Sequence, residues 1–256
     1  MSEQLIDLKG KHILVLGASS GIGKKTALML GDLGATLSLA ARRIDKLKET
    51  CRLLPAGNHR CYPVDVADTT AIEPMIKAVA ADNGPLDGVV YSVGMTGSMP
   101  ISMLKPEKLN ALFTVNFFSF IETVRQAAKK GRFNHGLRIV GVSSVSTFCG
   151  DRAHTAYAAS KAAMDGAVRC LAQELADKQI CINTVAPAMT ATEMYYEDYL
   201  AKNGADSEAN KKILSRQYLG VAETGDVAGA IAFLLSPAAR FITGITLPVD
   251  GGYSTC

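Results

Sequence analysis

The chain has no apolar run near the roughly 18 residues that span a bilayer, which excludes a transmembrane helix. It has little excess charge of either sign. The 27 Lys and Arg against 24 Asp and Glu leave +3, too little to point to nucleic acid or an anionic membrane as a partner. Six cysteines include no C-x-x-C pair, and four histidines include no H-x-x-x-H pair. A disulfide framework and a zinc site are therefore not expected, and the thiols read as reduced. The opening Met1-Ser2-Glu3-Gln4 is polar and acidic, with no basic segment leading into an apolar one. No signal peptide is expected, and the predicted location is cytoplasmic. The 23 glycines and 9 prolines follow no period, which excludes a collagen-like or low-complexity chain. What is present is an ordinary globular balance, 48% hydrophobic and 20% charged over 256 residues, enough apolar area to offset the entropy of ordering.

Short apolar runs alternate with longer stretches of helical spacing. Strands are predicted at Ile13–Leu16, Thr36–Ala40, Arg60–Val64, Leu86–Ser92, Leu137–Ser143, Ile180–Val185 and Ile245–Val249. Helices are predicted at Ile22–Leu33, Ile44–Leu54, about Thr70–Ala81, Pro106–Lys130, Thr155–Asp177 and Asp226–Leu235. Continuously apolar strands joined by helices make a parallel sheet covered on both faces. The expected fold is a doubly wound, Rossmann-like three-layer α/β sandwich with a seven-stranded parallel sheet, one domain over residues 1–256. An eight-fold β/α barrel has a similar alternation. It needs an eighth strand, and its phosphate loops come late in the chain.

Here the glycine-rich turn comes early. Gly17-Ala18-Ser19-Ser20-Gly21-Ile22-Gly23 joins the first strand to the first helix. Glycines allow a tight turn and close approach to a pyrophosphate, and the helix aims its unpaired N–H groups at the phosphates. The second strand ends in Ala40-Ala41-Arg42-Arg43. An acid here would bind ribose hydroxyls and repel a 2′-phosphate. Two guanidiniums suit that phosphate instead. They also read as two surface charges opening a helix, but the adjacent loop favours the phosphate. Asp65-Val66 follows the third strand, where Asp65 either accepts from an adenine amino group or caps the next helix.

Tyr157 and Lys161 stand four apart on one helical face. A nearby ammonium favours the phenolate, so Lys161 is expected to lower the pKa of Tyr157. Ser144 falls at the end of the fifth strand, and the carboxyl ends of parallel strands are where open α/β sheets bind ligands. By itself a Tyr and Lys pair at this spacing is common on helices.

Together these motifs resemble the short-chain dehydrogenase/reductase family over nearly the whole chain. They are Gly17 to Gly23, Asp65-Val66, Asn116, Ser144, Tyr157-x-x-x-Lys161, Asn183-x-x-x-Pro187, Thr192 and Val249-Asp250-Gly251-Gly252. The resemblance implies hydride transfer between NADP(H) and a carbonyl or secondary alcohol, with NAD as the lesser alternative. It implies Tyr157 as proton donor or acceptor, Lys161 holding the nicotinamide ribose, Ser144 polarising the carbonyl and Asn116 holding a relay water. It implies a cofactor held by Gly17, Ser19, Ser20, Gly21, Ile22, Gly23, Arg42, Arg43, Asp65, Val66, Ser92, Gly94, Tyr157, Lys161, Pro187, Thr190 and Thr192, with no metal.

Three departures stand out. Tyr91-Ser92-Val93-Gly94 replaces the family's Asn-Asn-Ala-Gly, so Ser92 is expected to supply the bonds that steady the central sheet. Pro187-Ala188 replaces Pro-Gly. Ser20 stands where many NADP users carry a base, which leaves the preference to Arg42. A substrate lid is expected at about 190–218, with Met194, Tyr195, Tyr196, Tyr199 and Leu200 either lining a pocket or packing the lid. Met95, Met99, Ile101 and Met103 are candidates for the opposite wall. Lys129, Lys130, Arg132 and Lys178 suit an acidic carrier, as in a beta-ketoacyl carrier-protein reductase, or form a solvated helix end. Other ketones are open as substrates. A non-catalytic nucleotide sensor or scaffold on the same fold is the alternative, opposed by the intact Ser144, Tyr157 and Lys161. A Rossmann-like methyltransferase would not need Tyr-x-x-x-Lys. Apolar residues surround the helix at Pro106–Lys130 (Leu109, Leu112, Phe113, Phe117, Phe118, Phe120 and Ile121), and the last residues, Leu247 to Cys256, are apolar. Both features predict partner faces and a homotetramer.

Overall fold

The computed structural model describes residues 6–201, 204 and 207–255. Seven parallel strands form the central sheet: β1 His12–Leu16, β2 Thr36–Ala41, β3 Arg60–Pro63, β4 Leu86–Tyr91, β5 Phe133–Val142, β6 Cys181–Pro187 and β9 Thr246–Val249. Their order is β3-β2-β1-β4-β5-β6-β9. The chain starts at β1, winds outward to β3, then returns to β4 on the other side of β1. That reversal opens a crevice at the carboxyl ends of β1 and β4, the ligand position of doubly wound sheets.

The strands form because their residues bury on both faces, and every residue of β1 is buried. One face packs under α1 (Gly21–Asp32), α2 (Ile44–Arg52) and α8 (Thr224–Leu235) around Ile13, Val15, Leu37, Leu39 and Ile231. The other packs under α3 (Ile72–Asn83), α5 (Ser119–Ala127) and α6 (Thr155–Glu174) around Leu14, Leu16, Val89, Phe120 and Met164. Strand β5 begins earlier than its apolar run. Phe133 pairs with Leu86, across a register shift between Leu86 and Gly88.

The helix expected to run unbroken from Pro106 to Lys130 is divided. Helix α4 covers Pro106–Phe113, a π-helical turn covers Thr114–Phe118, and α5 follows. The turn has a local cause. Tyr91, fully buried at the end of β4, donates to the Val115 carbonyl at 2.6 Å and lies 2.6 Å from Ser119 Oγ. Ser119 Oγ in turn sits 2.8 Å from the Thr114 carbonyl and 2.9 Å from that of Val115. These hydroxyls satisfy carbonyls that regular α-helical pairing would otherwise use. The tie from β4 to its neighbour is thus made by Tyr91. Ser92, expected in that role, donates its backbone N–H to Leu16 O at 3.0 Å.

Between β6 and α8 lie a two-stranded pair, β7 Thr190–Ala191 with β8 Ala222–Glu223, a π-helical turn Tyr195–Leu200 and α7 Glu208–Arg216. Gln217 clamps the two ends of this segment. Its side-chain oxygen accepts from Met189 N at 3.1 Å, and its amide donates to Met189 O at 2.9 Å. The side chain of Tyr199, one of the expected lid residues, lies outside the described residues. Among the described residues, no helix is long and apolar enough to cross a membrane, and no cluster of metal-binding side chains occurs.

Candidate active site

The crevice is floored by the loop Gly17–Gly23. Gly17 has φ +86° and Gly21 φ +52°, values that disfavour any side chain. A Cβ on Gly17 would stand 2.6 Å from Ser92 O, and one on Gly23 would stand 2.2 Å from Gly17 O. The loop therefore closes on itself through absent side chains. The α1 N-terminus has no acidic residue in its first turn and no capping side-chain bond from Ser20. Its Gly21 N–H donates instead to Glu193 Oε2 at 2.9 Å. A carboxylate from the neighbouring segment already sits on this amide, so the loop receives an anion, and a pyrophosphate fits it. Glu193 escapes sequence reading because its partner is 172 positions away.

Arg43 Nη2 donates to Ser20 Oγ at 3.2 Å, and Arg42 is exposed beside it. Both guanidiniums thus stand at the end of β2 beside the glycine loop, with Arg43 tied to it through Ser20. Asp65 is exposed, and its Oδ1 accepts from Ala67 N at 3.0 Å. The cap of the next helical turn is Asp68, which accepts from Thr70 N at 3.0 Å, so Asp65 does not have that alternative role. Val66 is buried. Ser19, Ser20 and Ile22 are half-buried along the loop.

At the other end of the crevice, Ser144 follows β5, and its Oγ caps a short 3₁₀ turn by accepting from Ser146 N at 3.2 Å. Helix α6 carries Tyr157 in its first turn, with the phenol close to Ser144. Burial pushes the Tyr157 phenol above its ordinary pKa, and the nearby Ser144 hydroxyl pulls it back. Lys161 is buried, and its Nζ donates to the Val142 carbonyl at 2.7 Å. Burial also lowers the Lys161 pKa to about 8, with the Asp165 charge opposing. Both side chains are biased towards their neutral forms because both are desolvated.

Asn116, buried on the π-helical turn, closes a ring with Met95: its Oδ1 accepts from Met95 N at 2.8 Å, and its Nδ2 donates to Met95 O at 2.9 Å. Nδ2 also donates to Ser160 Oγ on α6 at 2.9 Å. Gly94 lies against the same group, since a Cβ there would stand 3.3 Å from Lys161 Nζ and 3.5 Å from Asn116 Oδ1. Asn116, Gly94, Lys161, Tyr157 and Ser144 thus meet in one place.

Pro187 ends β6, Thr190 Oγ1 donates to Ala188 O at 3.1 Å, and Thr192 Oγ1 accepts from Tyr195 N at 3.2 Å. Thr192 thereby starts the turn that carries Glu193 onto the glycine loop. The wall residues divide. Met95, Ile101, Met103, Phe148 and Met194 are exposed, whereas Tyr195 is buried against Tyr196 with ring centroids 5.2 Å apart. Tyr196 lines an outer hollow with Lys24 and Lys25 of α1. The expected basic cluster is largely engaged within the chain. Lys129 and Arg132 bind Glu73 at 3.2 and 3.0 Å, and Lys178 donates to Ala128 O at 3.1 Å.

Residues 17–254 match the family model described as enoyl-(acyl carrier protein) reductase. L-xylulose reductase of Caenorhabditis elegans is 34% identical over 251 residues, 97% of each chain. The 3-oxoacyl-(acyl-carrier-protein) reductase FabG of Thermotoga maritima is 32% identical over 249 residues, covering 96% of this chain and 98% of that protein. A Burkholderia cenocepacia short chain dehydrogenase solved in complex with NADP superposes with TM-score 0.87 at 30% identity, covering 96% of this chain and 98% of the other. The glycine loop at the switch point and the Ser144–Tyr157–Lys161 meeting point have a common explanation: the chain belongs to the short-chain dehydrogenase/reductase family and is an NAD(P)-dependent oxidoreductase acting on CH–OH groups.

Proposed function

We propose that the protein is an NADPH-dependent reductase of ketones or aldehydes, with Ser144, Tyr157, Lys161 and Asn116 as its catalytic set. The observation that carries this reading is the convergence of these side chains at the carboxyl ends of β4 and β5: Lys161 Nζ on Val142 O at 2.7 Å, two residues before Ser144, and Asn116 Nδ2 on Ser160 Oγ, which itself bonds Tyr157 O. A phenol is protonated at neutral pH, the form needed to give a proton to a carbonyl oxygen. Ser144 orients that oxygen and shares its developing charge. Lys161 holds the ribose next to the nicotinamide, and Asn116, through Met95 and Ser160, keeps the Lys161 side of the site in shape. When bound, the nicotinamide supplies the hydride. The chain's own part is position, proton and exclusion of water by the segment at about 190–218, the proposed lid.

On this reading Gly17, Ser19, Ser20, Gly21, Ile22 and Gly23 would hold the cofactor's pyrophosphate at the amide that now meets Glu193. Asp65 and Val66 would hold the adenine, Ser92 and Gly94 would form the crevice floor, and Pro187, Thr190 and Thr192 would hold the nicotinamide side. Arg42 and Arg43 would bind the 2′-phosphate. NADPH is expected to bind at least about tenfold tighter than NADH, roughly 1.4 kcal/mol. Fluorescence titration checks this, and Ala41→Asp with Arg42→Ile should shift the preference towards NADH. Equal affinities in the native protein would remove the role of the arginines.

The exposed Met95, Ile101, Met103, Phe148 and Met194 favour a substrate with an apolar body. The named relatives reduce a sugar ketone or an acyl chain on a carrier protein. Because Glu73 already binds Lys129 and Arg132, a small free ketone is the better-supported substrate class.

A homotetramer is part of the same proposal. Phe113, Phe117 and Phe118 pack edge-on and tilted against one another at the π-helical turn between α4 and α5, where Phe117 also meets the core and Phe118 is 49% exposed. Leu219 and Phe241 are 87% and 93% exposed at the other edge. Light scattering at micromolar concentration should give four times the mass of one chain, and a mass near 27.1 kDa would contradict it.

A further inference from the structure

We propose that Asp165 is a positioning residue for this site: its buried carboxylate is the counter-charge of Lys161 and the pin that holds the end of β5 under Ser144. The inference rests on the catalytic reading above and deepens it.

Asp165 lies one helical turn beyond Lys161 on α6, on the same face. It is only 5% exposed. A carboxylate so deeply buried has to be satisfied by partners. Its Oδ2 accepts from Ser143 Oγ at 2.9 Å, and its Oδ1 accepts from Thr184 Oγ1 on β6 at 2.8 Å. Thr184 Oγ1 is itself 2.9 Å from Thr246 Oγ1 on β9. One carboxylate therefore joins α6 to the exit of β5 and the middle of β6, and through Thr184 to the first residue of β9. Two consecutive residues of β5 and its exit are held by one turn of α6: Val142 O by Lys161 Nζ, and Ser143 Oγ by Asp165. The next residue is Ser144.

The groups around Lys161 on the other elements are uncharged: the Val142 carbonyl from β5, Gly94 from the loop after β4, and Asn116 from the π-helical turn. On α6 itself lie the Tyr157 phenol and the Asp165 carboxylate. Asp165 thus supplies the negative charge that opposes the burial of the ammonium. Ser143 stands beside Ser144 in sequence and is easily mistaken for it. The structure gives Ser143 a different partner, which explains a serine at both positions.

The test separates charge from pinning. Asp165→Asn removes the charge, whereas Ser143→Ala and Thr184→Val remove one hydroxyl each and leave the charge. NADPH affinity is measured against pH for each. In the native protein, affinity is expected to weaken as pH rises through about 8, where Lys161 loses its proton. In Asp165→Asn this alkaline limb should move down by about one pH unit or more, the field of one charge at a helical turn's distance. In Ser143→Ala the limb should stay in place while kcat falls. An unmoved limb in Asp165→Asn would overturn the counter-charge role, even if that variant is less stable. Should Asp165→Asn fail to fold, Asp165→Ser supplies the second measurement, since it also removes the charge, and its alkaline limb should move down in the same way. An unmoved limb there would overturn the proposal. If the native protein binds NADPH but reduces no carbonyl, the catalytic reading fails, while the two limbs still report on Asp165.

Discussion

Tyr157→Phe is expected to lower carbonyl reduction at least about a hundredfold, the usual worth of a positioned acid–base group, and to leave NADPH binding within a few-fold of native. The substitution removes one oxygen from a half-buried ring on α6. It deletes the proposed proton donor and leaves Ser144 Oγ its bond from Ser146 N at 3.2 Å. Lys161 keeps its own anchor on Val142 O at 2.7 Å, so its proposed role towards the cofactor is untouched. The direction of the phenol shift adds a pH signature. Because burial raises the Tyr157 pKa, reduction should be sustained through neutral pH, and alcohol oxidation, which needs the phenolate, should rise on the alkaline side. Steady-state rates in both directions against pH check this. A phenylalanine variant that keeps most of its activity would show that the proton comes from elsewhere.

Gly23→Ala is expected to weaken NADPH binding at least about thirtyfold, roughly 2 kcal/mol, the middle of the range for forcing a methyl into a filled site. The new Cβ would lie 2.2 Å from Gly17 O and 2.7 Å from Gly17 C, and both are backbone atoms that no rotamer change can move. Gly17 has little room to retreat, because its own φ is +86° and space for even a Cβ is closed off by Ser92 O, 2.6 Å from where that atom would stand. The loop must open, and the Gly21 amide that receives the anion moves with it. Titration of the folded variant with NADPH measures the loss. Gly97→Ala is a suitable control, since its Cβ would meet nothing within 4 Å. Native affinity in Gly23→Ala would mean that the loop is not the phosphate cradle.

The sheet was legible because its strands are buried on both faces. A run such as Ile13–Leu16 or Val89–Tyr91 has no polar alternation to confuse it with an edge strand. The glycine loop and Tyr157-x-x-x-Lys161 were legible because their spacing is local. What escaped depends on partners distant in sequence. Apolar residues continue without a break through Thr114–Phe118, so nothing in their spacing marks the π-helical turn. Its cause is Tyr91, 24 positions earlier. The α7 helix Glu208–Arg216 is short and mostly polar, so its stretch carried no apolar stripe. Glu193 and Asp165 looked like ordinary acids on a loop and a helix. Only the folded chain sets the first against Gly21 and the second against Ser143 and Thr184. Spacing placed Lys161 near Tyr157, but not the burial of its ammonium or its bond to Val142 O.

Transfer of deuterium from NADPH labelled at its transferable position, into the alcohol formed from a panel of small ketones, tests the assignment of this site most directly. Deuterium on the carbinol carbon with the native protein, and none above background with Tyr157→Phe, is the expected result. NADPH binding with no transfer to any ketone, or equal transfer by Tyr157→Phe, would contradict a reductase built on Ser144, Tyr157 and Lys161.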